Sequence, residues 1–372
     1  TLGADNGIGV AAAMAILADK NAVHPPLEML VTVDEETGMY GAFALEGGML
    51  QGKTLLNLDS ESEGELYVGC AGGVDTTAKF AYTPVAVEEG DVALKVSITG
   101  CKGGHSGCDI HLQRANANKL LFRFLKDAVA NFEARVASVE GGSLRNAIPR
   151  EASAIITIPA EGVDEMLDLV AEYEDLFVTE YDGVEDAIRF TAEEVECPAT
   201  ELPEDVQDFL IHAITACPHG VYRVIPEMPD VVETSNNLAM LTTADDCVTV
   251  MCLTRSSVES RKEELQEIIQ SVFAMAGAEV EFSGSYPGWK PNLKSHILEV
   301  MQQTYQTNYG VDPRVIIIHA GLECGIIGRN YPGMDMISFG PTIKYPHSPD
   351  ERVNIPTVAK FYEFLLATLK AL

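Results

Sequence analysis

The sequence predicts an α/β domain with a mostly parallel sheet, interrupted by an inserted α+β domain. Three observations carry this. Helix and apolar strand alternate from the start of the chain to about residue 72, the pattern of strands joined by crossover helices. Between about 73 and 283 the order becomes β-β-α-β-β-α, typical of helices on one face of an antiparallel sheet. After GSYPGW, Gly284 to Trp289, the first alternation resumes. The expected boundaries are therefore 1–72 with 284–372 for the outer domain and 73–283 for the inserted one.

In chain order, TLGADNGIGVAAAMAILADKN begins as a turn and continues as an Ala-rich helix over roughly Ile8 to Ala18. Asp5 and Asn6 can cap it, because their side-chain oxygens accept the unpaired amides of a first helical turn. Leu27, Met29, Leu30, Val31 and Val33 read as an apolar strand running into DEETG, and Tyr40 to Glu46 as a short helix. Thr54 to Leu58 reads as a buried strand that also ends in acids, Asp59 and Glu61. Ligands gather at the carboxyl ends of strands in parallel sheets, so Asp5, the DEETG acids and Asp59 are expected to converge on one sheet edge.

The inserted region offers strands at Val74 to Tyr82 and Val92 to Gly100, a GGHSG turn and a helix through NANKLLFRFLKDAVANF. Strands at Ala134 to Val139 and Ala152 to Ile158 flank the turn GGSLRNAIP, and a helix follows at Val163 to Glu180. Further strands are expected at Ala187 to Phe190 and Cys247 to Leu253, and a helix over Ser257 to Ala276. The closing alternation runs through a helix at Ser295 to Tyr309, strands at Val315 to Ile318 and Met334 to Phe339, and a last helix at Pro356 to Leu372.

Acids at the end of a buried strand are costly unless a cation or a proton neutralises them. Carboxylates with a histidine are the ligand set of zinc, manganese or cobalt in a hydrolytic site. Of two adjacent acids, Glu35 and Glu36, one can reach a metal while the other faces substrate. His347 sits between Pro346 and Pro349, a stiff loop able to hold an imidazole. The ordinary alternatives are a solvated acidic turn, a helix cap for Asp5 and a surface histidine.

The formal net charge of −31 argues against nucleic acid or an anionic membrane as partner, both of which require basic patches. No apolar run reaches the roughly 20 residues of a membrane span. Eight scattered cysteines without a CxxC pair favour reduced thiols in a cytoplasmic protein.

GADNGIG, DEETG, NLDSE, GGHSG, LRNAIPRE, HAGLECG and PHSPDERV occur in this order. Together they resemble the M20 metallopeptidases, and within them the bacterial aminoacyl-histidine dipeptidases. The resemblance runs the length of the chain and implies a zinc-peptidase-like catalytic domain with an inserted lid. It makes Asp5 a ligand bridging two divalent ions, zinc first, with manganese or cobalt as alternatives. Glu36 and His347 are then ligands of one ion, Asp59 of the other, and Glu35 the general base. His105 would polarise the scissile carbonyl. Asn146, Arg255 and Gly321 would hold the substrate carboxylate, which a guanidinium fork binds bidentately. Asp34 receives no role.

The implied activity is hydrolysis of small peptides with C-terminal histidine, carnosine-like ones included, by a homodimer joined through a lid that closes over the metals. A deacylase, a tripeptidase and an inactive metal-binding fragment stay open as alternatives. The resemblance also implies an upstream His-x-Asp motif, and only four residues precede Asp5. The N-terminal part of the catalytic domain is therefore expected to be missing from these residues.

Overall fold

Two β systems, one for each compact unit, organise the computed structural model, which describes residues 2–244 and 246–372. Residues 1–72 and 286–372 form the outer unit, and 73–285 the inserted one.

The outer unit is built on a four-stranded sheet in the order Thr54–Asn57, Asp335–Ser338, Glu65–Cys70, Arg314–Ile318. The first pair and the last pair are parallel, while Ser338 meets Tyr67 antiparallel. Thus two of the three pairings are parallel. The inner face is closed partly by rings: Tyr305, Phe339, Phe361 and Phe364 pack edge-on or tilted, with Phe339 and Phe364 centroids 5.5 Å apart. Ser295 caps the His296–Tyr309 helix by accepting from Leu298 N, and donates to Asp335. That bond ties the helix to the second strand. The Ala4–Ala18 helix lies against the end of the Thr54–Asn57 strand at Gly9, where an added Cβ would stand 2.9 Å from the Leu58 carbonyl oxygen. Only a residue without a side chain allows so close an approach.

The Leu27–Val33 segment is not a strand: no ladder forms between 20 and 34, and Val31 and Val33 are exposed. A strand needs a hydrogen-bonded neighbour as well as an apolar pattern, and none is present among the described residues. The segment enters the four-residue helix Glu35–Gly38 instead.

The inserted unit contains, among the described residues, a nine-stranded sheet whose assigned pairings are antiparallel. Helices Ala117–Asn131 and Val163–Glu180 bury apolar faces in its core, where Phe124 meets Phe190 at 4.7 Å and Phe177 is fully buried. Each such ring contributes roughly 1.5–3 kcal/mol of burial. The strand Met228–Ala244 escapes the sequence pattern because its middle, Glu233 to Asn237, is polar and yet buried. Their amides find carbonyls internally: Asn236 donates to the Pro218 carbonyl at 2.7 Å, and Asn237 to those of Arg145 and Ala147 at 3.0 and 2.7 Å, while Asn237 Oδ1 has no hydrogen-bond partner among the described residues.

Candidate metal centre

In the outer unit three donors expected from the sequence come together. The first is Asp5. Its residue has non-helical φ and ψ, and the peptide that follows it is cis. Capping falls to Asn6, whose Oδ1 accepts from Gly9 N at 3.0 Å. The Asp5 carboxylate is turned instead to His347, with Oδ2 3.0 Å from Nε2. Glu36 Oε2 lies 2.8 Å from the same nitrogen. One ligand atom from each of Asp5, Glu36 and His347 falls within 4.8 Å of the others.

The backbone around these groups is sharply bent. Asp34, Met39, Tyr345 and His347 all have φ between 55 and 57°, a left-handed region that costs non-glycine residues energy. Glu36 and Glu35 are consecutive in a helical turn, so their side chains diverge. Gly41 lets the following helix close on the preceding segment, since an added Cβ would stand 2.5 Å from Val33 N and 2.8 Å from its carbonyl oxygen. Gly41 N also donates to that oxygen.

Carboxylates crowd the centre. Burial, then Glu36, Glu323 and Asp5, push the Glu35 carboxyl up to about 7. Burial, then Asp5 and Glu35, push Asp59 up to about 8, and Asp59 shares a hydrogen bond with Asp5. Burial followed by Asp5 also raises Glu36 and Glu61. His347 is raised: burial opposes its charge, but Glu36 and Asp5 outweigh that. Such a set is short of positive charge. Three oxygen and nitrogen donors within reach of one point, beside two carboxyls that resist ionisation, suit divalent cations.

Two contributors carried no role in the sequence reading. Glu351, within PHSPDERV, accepts from the amides of Gly3, Ala4 and Asp5 at 2.8, 2.8 and 3.1 Å, and these bonds, Gly3 first, lower its pKa. It holds the turn that presents Asp5. Glu323, within HAGLECG, is 8 % exposed and accepts from Thr32 Oγ1 at 2.9 Å. It thereby links the Glu323–Asn330 helix to the approach to Glu35. The signal available was their place inside acidic motifs. Gly321, in the loop before that helix, packs against Tyr286 and Met39.

The inserted unit brings together the other residues expected to act. His105 pairs with Ala147 across a short ladder, and Ser106 N donates to the Asn146 carbonyl at 2.8 Å. The Asn146 side chain is exposed. Arg255 is buried and donates from Nε to Ser106 Oγ at 3.3 Å. His105 Nδ1 accepts from Gly107 N and Cys108 N at 3.1 and 3.0 Å. A ring nitrogen that accepts two amides carries no proton, so the neutral ring bears its hydrogen on Nε2. Burial, then the Arg255 charge, lowers the His105 pKa and keeps the ring neutral.

A family model described as peptidase family M20/M25/M40 matches residues 3–371. The chain belongs to this family. As an M20 peptidase it is a hydrolase, and it is 45% identical over 370 residues to the cytosol non-specific dipeptidase of Escherichia coli (strain K12). That alignment covers 100% of this chain and 76% of the relative. The crystal structure of aminoacylhistidine dipeptidase from Vibrio alginolyticus superposes with a TM-score of 0.96 at 49% identity, over 100% of this chain and 76% of that one. Aminopeptidase PepT from Bacillus cereus shares the fold alone, with a TM-score of 0.51 at 17% identity, over 100% and 71%.

Proposed function

We propose that this M20 peptidase is a metal-dependent dipeptidase that releases C-terminal histidine, carnosine-like peptides included. The carrying observation is the Asp5, Glu36 and His347 donor set, with the half-buried carboxyl of Glu35 one residue before Glu36. In this reading Asp5, Glu36, Asp59 and His347 hold two divalent cations, zinc first. Such cations supply Lewis acidity and make water acidic enough to lose a proton near neutral pH.

Glu35 takes the proton from the attacking water and passes it to the leaving amine, the work of a carboxylate positioned within hydrogen-bond reach of both. His105, neutral with hydrogen on Nε2, donates to the carbonyl oxygen as negative charge develops there. Arg255, with Asn146 and Gly321, receives the free carboxylate of the peptide, and this requirement limits substrates to short peptides. The 73–285 unit serves as the lid and as the dimer surface. The cytoplasm, for which the Escherichia coli relative is named, is the proposed compartment.

The names of the two relatives differ in breadth, one non-specific and one for aminoacyl-histidine. A panel therefore decides: Xaa-His dipeptides, dipeptides ending in other residues, a tripeptide and an N-acyl amino acid, each with and without chelator. Release of histidine that stops on chelation and returns with zinc supports the reading. Equal rates across C-terminal residues remove the histidine preference, and preference for the N-acyl amino acid replaces the dipeptidase with a deacylase. Sedimentation velocity tests the dimer.

A further inference from the structure

The inserted unit contains a cleft of about 440 Å³, within the range of roughly 300–1,000 Å³ usual for small-molecule sites. It lies between the C-terminal end of the Ala117–Asn131 helix and the Glu204–Ala216 helix. Its residues have no part in the proposed hydrolysis.

Gln207 forms part of its floor and is 1 % exposed. Its Oε1 accepts from Val136 N at 2.7 Å, which leaves Nε2 as the free end of the amide. That nitrogen has no acceptor among the described residues. Next to it Arg135 is already engaged: it donates from Nη2 to the Leu202 carbonyl at 2.7 Å, and its Nε is ion-paired with the Glu201 carboxylate at 3.5 Å. A buried donor without an acceptor costs about 1–3 kcal/mol. The floor therefore calls for an acceptor.

The rim has the opposite character. Glu201 is occupied by Thr157 and Arg135, and Glu204 stands 3.8 Å from Arg135. Glu88, Asp91, Glu133 and Asp208 remain, against the single ammonium of Lys126. Asp91 registers the crowding: burial, then Glu88, Glu161 and Glu133, raises its pKa.

We propose that this cleft binds a basic amino acid, with the ligand carboxylate on Gln207 Nε2 and its ammonium groups on the rim acids. A diamine would satisfy the rim but leave the Gln207 amide unpaired. An anion would satisfy the floor but meet the excess of rim carboxylates.

Calorimetry of the full chain with L-lysine, with cadaverine as its decarboxylated counterpart, tests this. Gln207→Glu keeps an acceptor for Val136 N and turns a negative oxygen toward the ligand carboxylate. The double variant Asp91→Asn, Glu133→Gln removes two rim charges at exposed or partly exposed positions. The expected result is one lysine per chain, at least tenfold weaker binding in each variant, weaker binding of cadaverine, and unchanged peptide hydrolysis without lysine. Absence of lysine binding overturns the proposal. Lysine binding that both variants leave unchanged, or cadaverine bound as tightly as lysine, overturns it as well.

Discussion

Glu35 and Glu36 differ by one position and face different tasks. Glu36 is fixed at 2.8 Å from His347, whereas Glu35 is half-buried among other acids and outside that contact. Replacing Glu35 by Gln keeps its size and removes its ability to take a proton. Turnover is expected to fall by about 10²–10⁴-fold, the usual worth of a positioned base, with metal content by mass spectrometry unchanged. Loss of metal together with activity would make Glu35 a ligand instead. His105→Ala is expected to lower kcat by roughly 10²–10³-fold with little change in KM, as for removal of one oxyanion donor. A change confined to KM would assign His105 to substrate binding.

At the scale of elements, the centre depends on close approaches more than on propensity. The Tyr40–Ala44 helix can close on the segment before Glu35 because residue 41 is glycine and the backbone of Val33 occupies the space of a Cβ. Gly41→Ala must push that backbone away, an overpacking that costs about 1–3 kcal/mol. The expected outcome is a lower Tm together with weaker metal binding, measured against a chelating indicator. A lower Tm with undiminished metal affinity would show that the acids hold their places without this packing. Glu351 acts at the same scale, since three amide bonds set the start of the Ala4–Ala18 helix and hence the direction of Asp5.

For the whole molecule, folding is linked to protons through a buried histidine of the inserted unit. His219 accepts at Nδ1 from Asn116 and from Leu238 N, at 3.2 and 3.3 Å. Burial, then the Lys119 charge, lowers its pKa from 6.5 to about 3. Between those values the unfolded chain binds a proton that the folded chain does not, so this residue makes stability fall as pH falls through that window. Above it the residue contributes no pH dependence. His219→Asn keeps an acceptor without a titrating ring. It is expected to flatten the loss of stability on acidification by up to about 1.4 kcal/mol per pH unit, read from urea unfolding of both proteins. Identical slopes would place the acid sensitivity elsewhere.

Much was legible in the residues themselves. The helices at 163–180 and 296–309 carry an apolar periodicity that survives any context, and the acids of DEETG and NLDSE are residue types able to bind a cation, beside the ordinary reading of a solvated acidic turn. What local sequence could not carry was pairing. Leu27–Val33 has the pattern of a strand and no ladder, whereas Glu233–Asn237 lacks the pattern and lies in the middle of one. A ladder depends on which chain lies alongside, and a buried polar side chain on which carbonyl lies opposite. The sequence by itself determined which residue types could bind a cation and which segments could bury a face. Only the tertiary structure decided that Asp5 turns to His347 and leaves the cap to Asn6, that Glu323 and Glu351 brace the centre, and that Gln207 is left with an unanswered donor. Each of these depends on a distance between residues far apart in the chain.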